Sequence, residues 1–160
     1  GKGKTTAALG LVLRAAGHGM RVLVVQFIKG DMPSGELDAL RHVPGVKVER
    51  YGLGFVPEHR DEAFRDHQHA AERAIERAGA AISSGEYGLV VLDEVCYAID
   101  HGLVSLGAAA ECFRGAPCHV VMTGRHCPPE LIEMADTVTQ MRAVKHALDG
   151  GQEACRGVEF

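Results

Sequence analysis

The sequence holds no tryptophan, no C-x-x-C pair, no surplus of basic residues and no apolar run that approaches the length of a membrane span. Each absence excludes something. Without a span of about 20 apolar residues no transmembrane helix is expected, and no secretory leader is visible. Five cysteines (Cys96, Cys112, Cys118, Cys127, Cys155) are an odd, scattered set, which reads as reduced thiols of a cytoplasmic protein and not as a disulfide frame. A net charge of −4 argues against a general nucleic-acid binder, which would carry a basic stripe. Nine histidines invite a metal reading, above all His59, His67 and His69, but residues i and i+2 do not share a helix face and no Cys/His spacing matches a zinc site. What remains, with 46% apolar residues, is a soluble globular protein of 160 residues, one domain long enough to bury a core without staples.

The chain opens on Gly1-Lys2-Gly3-Lys4-Thr5-Thr6 and runs directly into an apolar helix. In the pattern G-x-x-x-x-G-K-S/T the glycine turn lets backbone N–H groups converge on phosphate oxygens, the lysine adds a cation and the hydroxyl serves Mg²⁺. With Gly3-Lys4-Thr5 as its end, the first glycine and the strand behind it are expected upstream of residue 1. Lys2 either touches phosphate or is a solvated loop charge. Tyr87 to Glu94 reads Y-G-L-V-V-L-D-E, a buried parallel strand ending in two carboxylates at the crevice where such sheets bind ligands. Asp93 is the candidate Mg²⁺-shell acid of a Walker B strand; the alternative is a strand followed by a solvated acidic turn.

Between these motifs strands alternate with helices across short glycine- or proline-marked joints. Helices are expected at Thr5–Ala16, Glu36–His42, Asp61–Ile82, Leu106–Phe113 and Pro128–Ala135. Strands are expected at Arg21–Ile28, Val46–Tyr51, Tyr87–Glu94, His119–Thr123 and Thr137–Val144. In the long helix Ala71, Ala74, Ile75, Ala78 and Ile82 share one face. The alternation implies an α/β fold, a P-loop NTPase domain with a mainly parallel sheet and helices on both faces, in which the strand before Gly1 would be central.

The blocks Gly1–Gly10 (G-K-G-K-T-T-A-A-L-G), Val24–Gly30 (V-V-Q-F-I-K-G), Gly52–Phe55 (G-L-G-F) and Val90–Ile99 (V-V-L-D-E-V-C-Y-A-I) resemble those of the P-loop type of ATP:corrinoid adenosyltransferase, or cob(I)alamin adenosyltransferase. Thr123–Val138 (T-G-R-H-C-P-P-E-L-I-E-M-A-D-T-V), Val144–Gly151 (V-K-H-A-L-D-G-G) and the ending Gly157–Phe160 carry the resemblance to the end of the chain. It implies a RecA-like fold, a homodimer, and transfer of the 5′-deoxyadenosyl group of ATP to the Co(I) of a reduced corrinoid with release of triphosphate. It also implies ATP in reversed orientation on the loop, and an electron-donating flavoprotein is a possible partner.

The resemblance assigns Gly1, Lys2, Gly3, Lys4, Thr5 and Thr6 to ATP, and Lys4 and Glu94 to catalysis. It gives Thr5, Asp93 and Glu94 to Mg²⁺, and Phe55 to an apolar wall under the corrinoid that excludes a lower axial ligand. Read from the residues alone, Phe55 is equally a core anchor for its loop and Glu94 a surface carboxylate leading a helix. Arg125 and Lys29, both at strand ends, are either phosphate or corrinoid contacts or solvated cations, and Lys145-His146 is either a ligand contact or a surface turn. Relatives often carry tryptophan two residues after the phenylalanine; Pro57 stands there, with Val56, Leu53 or Tyr51 as substitutes, and Ala143 replaces a proline before V-K-H. The phosphate loop alone suits a small-molecule kinase or ATPase equally well, with Glu94 polarising water. A non-catalytic corrinoid carrier is the third reading.

Overall fold

The computed structural model describes residues 2–30, 34–58 and 61–158. Four strands form one parallel sheet: β1 (Val22–Gln26), β2 (Val46–Arg50), β3 (Leu89–Asp93) and β4 (His119–Met122), in the spatial order β2-β1-β3-β4. The helices are α1 (Lys4–Gly17), α2 (Gly35–Leu40), α3 (Glu62–Ser83), α4 (Val95–Asp100), α5 (Leu106–Phe113) and α6 (Pro129–Met134), followed by a 3₁₀ turn at Ala147–Gly150. β1 and β3 are buried along their whole length, as uninterrupted apolar strands at the centre of a parallel sheet must be.

Successive residues of these strands face opposite layers. Leu23, Val25, Val90 and Leu92 pack with Ala71, Ala74, Ile75, Ala78 and Ile82 of α3, all five members of the stripe read from the sequence. Val22, Val24, Leu89 and Val91 pack instead with Ala8, Val12 and Ala15 of α1 and with Leu40 of α2. The alanine-rich face of α3 lets the helix lie close to the sheet. Asp61 starts it by accepting a hydrogen bond from the Phe64 N–H at 3.1 Å. Asp61→Ala is therefore expected to cost about 1 kcal/mol, seen as a lowered thermal midpoint.

One expected element fails. Thr137–Val144 is not a strand: the segment has no ladder partner among the described residues, and apart from Met141 its side chains are exposed, so neither hydrogen bonding nor burial holds it extended. Strand β3 ends at Asp93, one residue short of the expected Glu94, and Val95–Asp100 forms a helix that Glu94 leads. Glu94 breaks the strand by taking φ 62°, a left-handed conformation unusual for a non-glycine residue.

Register sets the site. Gln26 lies opposite Arg50 of β2 on one side and Asp93 of β3 on the other, all at the carboxyl ends of their strands. Beyond β1 the segments 28–30 and 51–54 remain paired, with the Tyr51 N–H donating to the Gln26 carbonyl at 3.0 Å and the Gly54 N–H to the Ile28 carbonyl at 2.9 Å. The blocks V-Q-F-I-K-G and G-L-G-F, separate in sequence, are thus one structural unit.

Candidate active site

Gly3 closes the N-terminal turn with φ 97°, and its carbonyl accepts the Ala7 N–H at 2.8 Å, the first hydrogen bond of α1. A left-handed corner at this position is what glycine permits. Lys2, Gly3, Lys4, Thr5 and Thr6 all line an open cleft of about 1690 Å³. Gly1 lies outside the described residues. α1 directs its positive dipole end into this cleft.

Behind the loop lies the acidic strand end, of which Glu94 lines the cleft and Asp93 does not. Asp93, 1% exposed, accepts the Thr5 hydroxyl on Oδ1 at 2.9 Å and the Thr123 hydroxyl on the same oxygen at 2.8 Å. Its Oδ2 accepts the Gln26 side-chain amide at 3.3 Å. The Thr123 hydroxyl in turn accepts the Glu94 N–H at 2.9 Å, which holds the left-handed turn that leads Glu94 into α4. Gly124 follows with φ 150°; a Cβ there would meet the Cys96 Cβ at 2.7 Å and the Tyr97 nitrogen at 2.8 Å, so the strand end can approach α4 only without a side chain.

Half-buried Glu94 lines the cleft. Burial pushes its carboxyl above the ordinary 4.5 and the Asp93 charge adds to this, while Lys4, Arg125 and Lys29 pull it back. The shift has a sign. Glu94 contributes stability that is fully present below 4.5 and is lost as pH rises through its raised folded value. Glu94→Gln is therefore expected to raise the thermal midpoint at neutral pH, with the gain vanishing below 4.5, and to remove the acid limb of the activity profile. A melting series against pH checks the first and a rate profile the second.

The other candidates divide. Arg125 and Lys29 line the cleft, and Lys29 pairs there with Glu36. Burial alone would raise the Glu36 carboxyl, but the Lys29 hydrogen bond holds it below its ordinary value. His146 also lines the cleft, whereas exposed Lys145 does not. Phe55 is 97% exposed and is not part of the cleft lining, so it is no core anchor. Tyr51 and Val56 pack against the α3-side core, and Leu53 stays exposed. Cys96 is beside the site, but burial, with Cys127 next to it, pushes its thiol up to about 12, which leaves it protonated and a poor nucleophile. His59 lies outside the described residues; His67 and His69 belong to α3, and neither lines the cleft.

Sequence reasoning passed over Gln26, Arg50 and Thr123, which complete the hydrogen bonding around Asp93. The signal for Gln26 is present in R-V-L-V-V-Q-F-I, where one amide interrupts a run that is otherwise fully buried.

A parallel sheet with helices on both faces, a glycine-cornered loop feeding a helix at its carboxyl edge, and an acidic strand end bonded to the threonine of that loop define an α/β protein of the P-loop NTPase-like class. Within that class the chain belongs to the ATP:corrinoid adenosyltransferase BtuR/CobO/CobP family, whose pattern it matches over residues 1–160. It is 45% identical to a corrinoid adenosyltransferase of Pseudomonas aeruginosa, over all of this chain and 79% of that protein. Identity is 38% to the corrinoid adenosyltransferase of Escherichia coli K12 and 39% to corrinoid adenosyltransferase CobA of Salmonella typhimurium, each over all of this chain and 81% of the relative.

Proposed function

We propose that the protein transfers the 5′-deoxyadenosyl group of ATP to the Co(I) of a reduced corrinoid and releases triphosphate. The observation that carries the chemistry is the Thr5–Asp93 hydrogen bond, which ties the phosphate loop, in the cleft, to the buried acidic strand end behind it. At about 1690 Å³ that cleft exceeds the roughly 300–1,000 Å³ of a single-ligand pocket and has room for a second large substrate.

The nucleophile is the corrinoid cobalt, so the protein needs no nucleophilic side chain. Co(I) gives its electron pair to the ribose 5′ carbon, the bond from that carbon to the triphosphate oxygen breaks, and that bond's electron pair leaves with triphosphate. Cobalt becomes formally Co(III) in the new Co–C bond. The protein's task is to stabilise negative charge as it grows on the leaving group. Lys4 and the N–H groups that open α1 hold the triphosphate for this. Thr5 and Glu94 present hard oxygen donors in the cleft, with the Asp93 carboxylate buried directly behind Thr5, a set that fits Mg²⁺. When bound, Mg²⁺ supplies charge neutralisation on the triphosphate. Arg125 at the cleft edge is assigned to the same anion.

Phe55 is assigned to the lower face of the corrinoid, where an apolar ring excludes water and an axial ligand and so eases reduction of Co(II). Its full exposure on a braced loop supports this. Phe55→Ala is expected to slow transfer about tenfold or more when Co(II) corrinoid and a flavoprotein reductant are supplied. With corrinoid already reduced to Co(I) the variant should match the parent; equal loss in both assays would remove Phe55 from the reduction step. We place the enzyme in the cytoplasm as a homodimer in one domain, a reading supported by its five free cysteines and its family.

Anaerobic incubation with Mg·ATP and chemically reduced cobalamin tests the reading. Light-sensitive adenosylcobalamin in step with triphosphate is the expected result. Phosphate or ADP without a Co–C product would select a kinase or ATPase, and tight corrinoid binding without either product a carrier.

A further inference from the structure

Gln26 is 2% exposed and its amide is used at both ends: Nε2 donates to Asp93 Oδ2 at 3.3 Å and Oε1 accepts from Arg50 Nε at 3.0 Å. Arg50 spends the rest of its fork on the loop that follows β1, donating from Nη1 to the Gly30 carbonyl at 3.0 Å and from Nη2 to the Ser34 hydroxyl at 2.8 Å. Lys29, just before Gly30, and Gly35 and Glu36, which open α2 after Ser34, are three residues of the cleft wall. A continuous chain of hydrogen bonds therefore runs from Thr5 and Thr123 through Asp93, Gln26 and Arg50 to the far wall of the cleft.

We propose that Gln26 and Arg50 are a positioning pair for adenosyl transfer, setting the Asp93 carboxylate and the cleft residues Lys29, Gly35 and Glu36 in fixed relation to each other. The proposal rests on the reading of Asp93 as a carboxylate of the Mg²⁺–triphosphate site. Its logic lies in the amide spacer. An arginine bonded directly to Asp93 would neutralise the carboxylate and compete with a cation for it. A neutral amide donor fixes the rotation of the carboxylate and leaves its charge for the ligand. Arg50 determines which end of the amide faces Asp93, because a guanidinium cannot accept a hydrogen bond and so takes the oxygen end. Without Arg50 the amide is free to turn its oxygen toward the carboxylate.

The test uses the full chain with Arg50→Lys, Arg50→Met, Gln26→Met and the Arg50→Met/Gln26→Met double variant. ATP binding is measured by calorimetry across a Mg²⁺ titration, and Co–C bond formation from pre-reduced Co(I) cobalamin is measured in parallel. Each single variant is expected to raise the Mg²⁺ concentration for half-maximal ATP binding about tenfold. The double variant should be no worse than either single one, because both break the same chain. Arg50→Lys, which keeps charge but not the planar fork, should behave like Arg50→Met. It is also the mildest change to the fold, so it gives a reading if the apolar variants fail to fold. An unchanged Mg²⁺ requirement in folded Arg50→Lys, or additive losses in the double variant, would overturn the proposal and leave the pair a purely structural brace. Failure of the parent protein to form a Co–C bond would instead sink the functional reading, independently of the Mg²⁺ shift.

Discussion

Lys4→Ala is expected to lower the rate of adenosyl transfer by about 10²–10³-fold while the protein keeps its thermal midpoint. The size follows from where charge develops. Ground-state triphosphate is already anionic and is cradled by the N–H groups of the glycine turn, which the substitution leaves in place. As the bond to the ribose carbon breaks, the oxygen leaving with the triphosphate gains further charge, and a cation held at the start of α1 is worth most at that moment. Lys4 is half-buried at the first position of α1, and alanine is a good helix former there, so the fold loses little. The effect should therefore appear mainly in kcat, with a smaller rise in KM for ATP. Lys4→Arg should recover part of the rate, since it restores charge but not the compact ammonium. Rates come from loss of Co(I) absorbance and from released triphosphate. A rise in KM with kcat unchanged would make Lys4 a ground-state contact only.

How far the site was legible in the sequence depends on the distance over which each residue acts. Gly3, Lys4 and Thr5 are adjacent, so their meeting at the start of α1 could be placed without a fold. Asp93 was legible because a buried strand that ends in a carboxylate is a local pattern. Gln26, Arg50 and Thr123 were not, because each acts through a cross-strand register that no local pattern reveals. Residues 26 and 50 meet only once two parallel strands are aligned, and residues 93 and 123 only at the far side of the sheet. The same distinction explains the structural misreadings. α3 was readable from its periodicity and its Asp61 cap, both local. The end of β3 was readable to within one residue from its acidic pair, but the left-handed turn at Glu94 was not, since Thr123 secures it from another strand. Thr137–Val144 has strand-forming composition, but composition cannot supply a neighbour to pair with.

Gly52 is where local reading and tertiary consequence diverge furthest, and Gly52→Ala is expected to be the most damaging small change outside the phosphate loop. G-L-G-F looks like a flexible turn. In the structure, a Cβ on Gly52 would stand 2.2 Å from the carbonyl carbon of Ile28 and 2.5 Å from its oxygen, distances that no rotamer change relieves because the obstacle is backbone. The 28–30 and 51–54 segments would have to separate. Separation breaks the Gly54-to-Ile28 hydrogen bond and withdraws the close approach of Gly30 to Leu53 and Gly54. A cost of about 3 kcal/mol is expected, which for a chain of this size lowers the thermal midpoint by roughly 6–12 °C. Two functional consequences follow from what the paired segments hold. Lys29 and the Gly30 carbonyl that Arg50 grips lie on one segment, and Phe55 ends the other. The variant should therefore lose Mg·ATP affinity and the reduction step together, well below its own melting temperature. Gly54, although it has φ 102°, would place a Cβ in open space, so Gly54→Ala should strain only the local backbone. Comparing the two variants at equal folded fraction separates steric wedging from loss of glycine flexibility; equal losses would show that the close approach at Gly52 is not what aligns the two walls.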